Sequence, residues 1–394
     1  MLGVAVRVVN GKLLHGRNVA FICSVDRYTA RMTGAGDPAS ASVTKVTIHE
    51  VARAASVSPS TVSNLLNGRT QRMQPATRVR IEAAIRKLGY HPSRVARQLR
   101  TGRVQAIGLI VPSVGNPFWG ALARQLEAAA LIEGYHVLLC NSERDPERER
   151  SYLEELWADG IRGVVLCSSL PSLDHVAPLL ERGLRLVAFD RSAQAGDPAS
   201  LVNVTVDNAV GAQLATEHLL ALGHRRVAFV SGSLGSINRK ERFRGFRTAL
   251  EQAGLDPDAA IVSPGAATEQ FGDVEAAELG RAAAGELLRG RRKPTAIVAI
   301  NDMCALGVCR GIRDAGLEVA RDVSVVGFDD ILLAELYAPP LTTVHQPLPE
   351  MAAAAFDHLR TRIEGPVTAG QSLLMRPHLV VRESTAPPPA RGAK

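Results

Sequence analysis

Beyond residue 104, short apolar runs alternate with longer segments in which apolar residues recur every three or four positions. The short runs have the length of buried parallel strands, and the longer segments have the period of amphipathic helices. Four runs come before residue 206, at residues 106–111, 136–140, 163–167 and 185–189. Four more follow it, at residues 226–230, 260–262, 296–300 and 323–327. The pattern predicts an α/β fold with two parallel sheets.

Residues 45–103 show a different pattern, in which apolar positions mark three short helices. Thr47 and Glu50 stand at the spacing of a capping box before the first helix. Ser58 and Pro59 are residue types favoured at the N-cap and first position of a second helix, and a third is predicted over about 75–89. Two helices joined by a three-residue turn form a helix-turn-helix, the motif that enters the DNA major groove.

Small polar side chains cover one side of the predicted second helix, opposite Val62, Leu65 and Leu66. Hydroxyl and amide groups of this kind hydrogen-bond to base edges and phosphates. The candidate DNA-binding residues of this head are Thr47, His49, Ser58, Pro59, Ser60, Thr61, Ser63, Asn64 and Asn67.

The basic character of the chain is local. The whole chain has a formal net charge of +7, but residues 45–103 hold twelve Lys or Arg against two Glu, a net charge of +10. Residues 1–44 add +3, so the residues from 104 onward carry −6. A cationic module on a mildly acidic body is expected of a protein that binds duplex DNA. A solvated helical surface with incidental arginines is the alternative, and it leaves the coincident capping and turn signals unexplained.

Composition argues against several other classes of protein. The sequence has no run of 18 apolar residues to span a membrane, and the apolar stretch at 4–9 is too short for a signal peptide. Five scattered cysteines without a CxxC pair suit reduced thiols in a cytoplasmic protein. The histidines lack metal-ligand spacing, so neither a metal nor a cofactor is expected. Enzyme motifs such as GxSxG and GxxxxGK are missing from the sequence, although aspartates at loop ends leave a glycosidase-like acid–base pair open.

Several stretches of the sequence resemble the lac-repressor (LacI/GalR) family. They are TIHEVA (47–52), VSPSTVS (57–63), LNG (66–68), LGYHP (88–92), AIGLIVP (106–112), NPFW (116–119), ND (301–302), SVVGFDD (324–330) and PLTTV (340–344). The resemblance spans roughly residues 43–384. It implies a ligand-responsive transcriptional regulator with a DNA-binding head and a two-lobed core similar to periplasmic sugar-binding proteins.

The resemblance also assigns a hinge helix to the connector at 92–103. Leu99 would wedge between base pairs in the minor groove, with Arg94 and Arg97 near the DNA backbone. An isolated helix this short is marginal in water, so the family pattern implies that it orders only when two copies pair on DNA. A flexible linker is the alternative.

The expected domain organisation has six parts. They are an unmatched extension at 1–43, disordered or from a mis-assigned start; the helix-turn-helix head at 44–91; the hinge at 92–103; an N-terminal lobe at 104–205 plus 344–363; a C-terminal lobe at 206–343 plus 364–384; and a disordered tail at 385–394. A small extra strand pair is the alternative for the extension.

Ligands of open α/β sheets bind beyond the carboxyl ends of the strands, and this rule selects the loops after each predicted strand. Together with the family resemblance, it gives the candidate ligand-binding residues Asn116, Phe118, Asp190, Arg242, Asp302 and Gln346. Carboxylates accept hydroxyl hydrogens, a guanidinium forks onto two oxygens, and an aromatic ring covers the apolar face of a sugar. Structural alternatives exist, since Asn301-Asp302 could cap a helix, Asp190-Arg191 could form a surface pair and Phe118 could belong to the core.

The expected function is a cytoplasmic, homodimeric repressor that binds a double-stranded DNA operator under control of a sugar or sugar-like effector. One alternative is a corepressor-type regulator with a purine-like ligand. Another is a solute-binding protein without a regulatory role, which would not need the basic head.

Overall fold

The computed structural model describes residues 46–66, 69–71, 73–90, 104–168, 170–256, 261–263, 273–366 and 368–389. The expectations for the extension at 1–43 and the hinge at 92–103 lie outside these ranges, as do those for Asn67, Arg94, Arg97 and Leu99. The chain divides into two compact units, a head that ends at Ser93 and a core that begins at Arg94.

The described part of the head contains the three predicted helices. They are α1 (Ile48–Ala54), α2 (Pro59–Leu66) and α3 (Pro75–Leu88). Val51 of α1, Val62 of α2 and Ile81 of α3 are fully buried and belong to one apolar cluster between the helices. One apolar side chain from each helix therefore builds the centre of this small unit.

Local capping sets the ends of these helices. The Glu50 carboxylate accepts hydrogen bonds from the backbone N–H of Thr47 at 2.7 Å and from its hydroxyl at 3.0 Å. The Ser58 hydroxyl accepts from the backbone N–H of Thr61 at 3.2 Å, as an N-cap does. Helix α3 ends at Gly89, whose φ of 59° lies in the left-handed region that glycine adopts without strain. The predicted capping residues thus fix where the chain turns.

The core contains two six-stranded sheets, and we call each sheet with its packed helices a lobe. Lobe one has the strand order β11-β5-β4-β3-β1-β2, all parallel. Its strands are β1 (Ala106–Val111), β2 (His136–Asn141), β3 (Gly163–Leu166), β4 (Arg185–Phe189), β5 (Val202–Val206) and β11 (Ser372–Met375). Its helices are α4 (Pro117–Ile132), α5 (Pro146–Ala158), a 3-10 turn (Asp174–Val176), α6 (Ala177–Glu181) and α12 (Leu348–Glu364).

Lobe two has the strand order β12-β10-β9-β8-β6-β7, parallel except for the antiparallel edge strand β12. Its strands are β6 (Val227–Val230), β7 (Ile261–Ser263), β8 (Ala296–Ala299), β9 (Ser324–Asp329), β10 (Thr342–His345) and β12 (His378–Val380). Its helices are α7 (Asn208–Ala221), α8 (Ile237–Gln252), α9 (Asp273–Arg289), α10 (Asp302–Asp314) and α11 (Leu332–Leu336). The prediction of an α/β core with two parallel sheets is confirmed.

The chain passes between the lobes three times, and one expected boundary is wrong. The first crossing follows β5 and the second follows β10, since α12 packs on α4 and on β3, β4 and β5. The third was expected near Glu364, but β11 still pairs with β5 in lobe one, with Ser372 opposite Asn203. The crossing therefore lies between Met375 and His378. β11 is a half-exposed edge strand of four residues, so it lacks the continuous apolar run of a buried strand.

The expected disordered tail is also corrected for its described part. Thr385 Oγ1 lies 2.9 Å from Nε2 of His218, and the Ala386 carbonyl oxygen lies 2.9 Å from Nε2 of His224. The Ser324 hydroxyl donates to the same carbonyl at 3.0 Å. Residues 385 and 386 are thus held by polar side chains of lobe two, an anchor that a composition rich in proline and alanine does not reveal.

A close contact between α7 and α8 sets the position of Arg242, a candidate ligand-binding residue. At Gly245 of α8, an added Cβ would lie 2.0 Å from the Ala209 carbonyl oxygen of α7. Only glycine allows the two helices to approach this closely. Arg242, one turn earlier on α8, is thereby held above the carboxyl ends of the lobe-two strands. Among the helices of the described residues, none is long and apolar enough to cross a membrane.

Candidate functional site

The exposed side of α2 carries the predicted DNA contacts of the head. Ser60 and Asn64 are exposed, Thr61 and Ser63 are partly buried, and Val62 on the opposite side is buried. The exposed hydroxyl and amide groups can bond to base edges from this helix.

The hydroxyl of Ser58, a further candidate contact, is engaged within the head. It bonds the Ser60 and Thr61 hydroxyls at 2.7 and 2.8 Å. Together with its cap on the Thr61 N–H, these contacts give Ser58 a structural role. Thr47 and His49, at the start of α1, are exposed.

A cleft with about 520 Å³ of space, part of it open to solvent, lies between the carboxyl ends of the two sheets. Its described wall comes from both lobes and includes four of the six predicted ligand-binding residues, Asn116, Phe118, Asp190 and Arg242. The remaining two, Asp302 and Gln346, do not line it. The rule that ligands bind beyond the carboxyl ends of strands therefore located the cleft. Which side chains face the cleft depends on the local geometry of each loop.

Lobe one supplies a rigid aromatic wall. Asn116 caps α4, and its Oδ1 accepts a hydrogen bond from the Phe118 N–H at 3.0 Å. Phe118 and Trp119 pack edge to face with ring centroids 4.9 Å apart. Both rings line the cleft and are also largely buried, so Phe118 belongs to the core as well as to the cleft wall. Its contact with a ligand stays a prediction.

Asp190 joins the two lobes across the cleft. It follows β4 with a φ of 53°, an uncommon backbone conformation for a residue other than glycine. Its Oδ2 accepts a hydrogen bond from Nδ2 of Asn238, in lobe two, at 2.7 Å, and its carbonyl oxygen accepts from the same group at 2.8 Å. Arg191 does not line the cleft. It is fully buried and pairs with Asp197, so Asp190 and Arg191 do not form a surface pair.

Arg242 is held on several sides within lobe two. Its Nε donates to Oδ1 of Asn208 at 2.8 Å, and its Nη1 donates to the Ile300 carbonyl oxygen at 2.6 Å. The guanidinium carbon lies 3.6 Å from the centroid of the Phe328 ring. Nη1 also lies 3.7 Å from Oδ1 of Asp329. The guanidinium is thus presented to the cleft in a fixed orientation.

Asp329 is a wall residue that sequence reasoning missed. It ends β9 with a φ of 122°, and its Oδ1 accepts a hydrogen bond from Nε2 of Gln346 at 2.8 Å. Gln346 follows β10 and is buried, so its place is behind the wall, where it orients Asp329. The carboxyl-end rule applied to β9 would have selected Asp329.

The structure places Asp302 beneath the wall. Asp302 is fully buried, with Oδ2 accepting from the Ile331 N–H at 2.9 Å and Oδ1 accepting from the Thr343 hydroxyl. Burial raises its pKa to about 6, although these two hydrogen bonds act in the opposite direction. The adjacent Asn301 lines the cleft, and its Oδ1 caps α10 by accepting from the Cys304 N–H. The direct ligand contact expected of Asp302 has no support in this geometry.

Five other polar wall residues are not among the six candidates from the sequence. Ser236 is the N-cap of α8, and Asn238 and Arg239 lie in its first turn. Asn301 is the N-cap of α10, and Arg144 lies in the turn between β2 and α5. Burial raises the pKa of the Cys167 thiol, which also lines the cleft, so this group is uncharged near neutral pH. Within the described ranges, no group of three or more His, Cys, Asp or Glu side chains could hold a metal ion.

Comparison with known proteins gives matches to both units. Residues 47–93 match the family described as bacterial regulatory proteins, lacI family, and residues 216–385 match a periplasmic binding protein-like domain. The HTH-type transcriptional regulator DegA of Bacillus subtilis is 35% identical over 343 residues, which cover 87% of this chain and 99% of DegA. The chain belongs to the lacI family.

Solved structures of lacI-family members share this architecture. A lac repressor dimer bound to operator and an anti-inducer is 29% identical, with a TM-score of 0.73 over 86% of this chain and 99% of that chain. A family member from Enterococcus faecium with bound ribose is 30% identical, with a TM-score of 0.63 over 72% of this chain and 99% of that chain. These matches confirm the expected fold class and the expected function as a DNA-binding transcriptional regulator.

Proposed function

We propose that this lacI-family protein is a cytoplasmic, homodimeric repressor whose operator affinity is set by a sugar or sugar-like effector in the cleft. The head at 44–91 contacts the operator, and the two lobes hold the effector. The similar lac repressor, a dimer on its operator, and the similar regulator with bound ribose support the two parts of the proposal. We assign no catalytic step to the cleft, in keeping with relatives that are regulators.

The bond between Asp190 and Asn238 carries the proposal. It joins lobe one to lobe two inside the cleft wall. A ligand that bonds to either group competes with this contact and so favours one arrangement of the lobes over another. Differential binding to two arrangements is the requirement for a ligand to shift a conformational equilibrium.

The chemistry of the wall favours a polyol over a purine. Carboxylate, amide and guanidinium groups approach the cleft from both lobes, which suits a ligand with hydroxyl groups on several sides. Aromatic stacking is a common way to hold a purine base, whereas the aromatic residues of the described wall, Phe118 and Trp119, pack edge to face on each other and both belong to lobe one. Specificity of this kind comes from buried polar groups that lose their partners with the wrong ligand.

Operator binding measured with and without sugars tests the proposal. Selection from random duplexes would identify the operator, and fluorescence anisotropy would then report the affinity of the full chain as each sugar is added. We expect one sugar to change the operator affinity at least tenfold. Arg242→Ala is expected to remove this response and, at a temperature where circular dichroism shows the variant to be folded, to leave basal operator affinity within about twofold, because Arg242 belongs to the core and not to the head. A sequence-specific protein that responds to nucleobases and to no sugar would contradict the assignment.

The proposed hinge at 92–103 has a separate test. Unstacking a base step by an apolar wedge bends the duplex and allows further protein contact. Leu99→Ala is therefore expected to weaken specific operator binding much more than non-specific binding and to reduce the DNA bend. Circular-permutation gel shifts measure the bend directly. An unchanged bend with unchanged specificity would identify the connector as a plain tether.

A further inference from the structure

Two charged groups that approach each other in the cleft wall are each held by a buried amide side chain. Nε of Arg242 donates to Oδ1 of Asn208 at 2.8 Å, and Nε2 of Gln346 donates to Oδ1 of Asp329 at 2.8 Å. Nη1 of Arg242 lies 3.7 Å from the same Asp329 oxygen. Asn208 and Gln346 are each 1% exposed and lie outside the described cleft wall. The two amides therefore support the charged groups from behind.

Both amides also lie where the chain crosses between the lobes. Asn208 is the first residue of α7 and comes two residues after the end of β5, at the first crossing. Gln346 directly follows β10, at the second crossing. The residues that hold the charged wall groups are thus part of the segments that must adjust when the lobes change their arrangement.

Asn208 connects Arg242 to lobe one through its own side chain. Its Nδ2 donates to the carbonyl oxygen of Val206, the last residue of β5, at 3.3 Å. The guanidinium group can only donate and the carbonyl oxygen can only accept, so these two partners fix the orientation of the amide between them. A displacement of Arg242 is therefore passed to the end of β5 through one side chain.

Gln346 connects Asp329 to lobe one through its backbone. Its carbonyl oxygen accepts a hydrogen bond at 2.7 Å from the N–H of Leu348, the first residue of α12. Pro347, between them, has a φ of −74° and a ψ of 67°, the geometry of an inverse γ-turn, and its ring restricts φ. A displacement of Gln346 together with Asp329 is therefore passed to the start of α12.

These contacts form one continuous path that begins and ends in lobe one and has its middle in the cleft wall. From the end of β5 it passes through Asn208, Arg242, Asp329 and Gln346 to the start of α12. A buried polar group that loses its partner is costly, so neighbouring members of such a path shift together and not separately.

We propose that Asn208 and Gln346 are positioning residues that couple an effector in the cleft to the arrangement of the two lobes. This inference rests on the proposed function and names the residues through which the effector acts. A ligand that bonds to Arg242 or Asp329 displaces that group, and the amide behind it passes the displacement to a crossing segment. Such coupling needs an element with two arrangements that the ligand favours unequally, which the pair of lobes provides.

Two substitutions interrupt the path at its two ends. Asn208→Asp keeps an oxygen that accepts from Arg242 but loses the N–H that bonds to the Val206 carbonyl oxygen. Gln346→Met keeps the length of the side chain and loses the N–H that bonds to Asp329. Gln213→Met is the matched control, because Gln213 lies on the same helix as Asn208 and its amide bonds to Glu217 and Gln252, away from the cleft wall.

The first measurement needs no sugar. Double electron–electron resonance on the full chain, with one spin label on α5 and one on α9, gives the distribution of distances between the lobes. We expect Asn208→Asp and Gln346→Met each to shift or broaden this distribution while circular dichroism shows the core to be folded. Gln213→Met should give the wild-type distribution. A residue that only adds stability would change the Tm and leave the distribution of the folded protein unchanged.

The second measurement is the response of operator affinity to a sugar, read by fluorescence anisotropy on the selected operator. The probes are D-ribose and cellobiose, the sugars bound in two similar regulators. A change of at least tenfold in the wild type and in Gln213→Met should fall below about threefold in Asn208→Asp and Gln346→Met, because the coupling between the two sites is weakened. Titration calorimetry should show the matching loss, a smaller difference between sugar affinities of the free and the operator-bound protein.

The outcomes separate this inference from the proposed function. Wild-type distances in both variants overturn the inference, as does a wild-type sugar response in both. Loss of folding in both variants would identify the two amides as structural supports and would also overturn it. A wild type that responds to neither sugar counts against the proposed function alone, because the distances measured without sugar still decide the role of Asn208 and Gln346.

Discussion

The head and the core place their candidate functional side chains in opposite physical settings. On α2, Ser60 and Asn64 are exposed, while the buried Val62 holds the helix from its other side. In the cleft, Arg242 and Asp329 are buried and bonded to the surrounding framework. The proposed base contacts are thus nearly independent of the stability of the head, whereas the side chains proposed to contact the effector are part of what stabilises lobe two. Operator preference can therefore change by single substitutions more easily than effector preference can.

The largest effect is expected when a buried side chain of the cleft wall is removed. Arg242→Ala removes the bonds to Asn208 and Ile300 and the positive charge that lies 3.7 Å from Oδ1 of Asp329. Breaking a buried pair of this kind lowers the free energy of unfolding by about 3–5 kcal/mol. Chemical denaturation of the core transition measures the loss. Arg247→Ala, on the same helix, is the control and should change stability by less than about 0.5 kcal/mol. A loss below about 1 kcal/mol for Arg242→Ala would show that binding and stability are separable in the core as well.

A second prediction concerns the pH dependence of the buried carboxyl group of Asp302. Its pKa in the folded state, about 6, lies above the value of 3.8 for the free side chain, so the folded state favours the protonated form. Stability from this group is present below pH 4 and is lost as the pH rises through 6. Asp302→Asn, always neutral, should therefore gain stability relative to the wild type as the pH rises from 4 to 7.

Asp314→Asn is a control with the opposite sign. Asp314 lies on the same helix, α10, and the hydrogen bond from Arg281 lowers its pKa. Its substitution should therefore become more unfavourable as the pH rises through the acidic range. Unfolding free energies from urea titrations at several pH values give both slopes. Parallel slopes for the two variants would remove the distinction between the buried and exposed carboxyl groups.

The third prediction concerns Asn64, on the exposed side of α2. Asn pairs with adenine and Arg with guanine in the major groove, so Asn64→Arg should shift one operator position toward guanine by about 1–3 kcal/mol. The stability of the head should change by less than about 0.5 kcal/mol, since Asn64 is exposed. Operator selection with both proteins measures the preference. Identical selected sites would exclude Asn64 from base contact.

The smallest effect is expected at Ser58, which is a candidate DNA contact and also stabilises the head. Its hydroxyl caps α2 and bonds to neighbouring hydroxyls. Ser58→Ala should lower the stability of the head by about 1 kcal/mol, the usual cost of a lost N-cap. Ser58→Asp, which retains a capping oxygen, should restore most of this stability while adding a negative charge that weakens DNA binding. Loss of stability in both variants alike would contradict a capping role.

Much of the fold could be predicted because its signals are local. The caps at Thr47 and Ser58 and the continuous apolar run of β1 define their elements without reference to distant residues. Edge strands such as β11 have no such signal, because half of their side chains are exposed and their pairing partners lie far away in sequence.

The site could be predicted as a location but not in detail. Asp302 and Asp329 both lie near the carboxyl ends of adjacent strands, and composition does not distinguish them. The left-handed backbone of Asp329 and the hydrogen bond from Gln346 bring one carboxylate into the wall, whereas the Ile331 N–H holds the other beneath it. These differences arise from tertiary contacts between segments distant in sequence, so single-sequence patterns do not contain them.

The interleaved path of the chain has a consequence for the gene. The last crossing comes after β11, so a stop codon or frameshift near codon 370 removes an edge strand from lobe one and another from lobe two at once. The intact head would then be attached to a core in which both sheets are incomplete. Late nonsense alleles should therefore behave as full loss of function, and a screen for truncated, effector-blind repressors should return missense changes in the cleft instead.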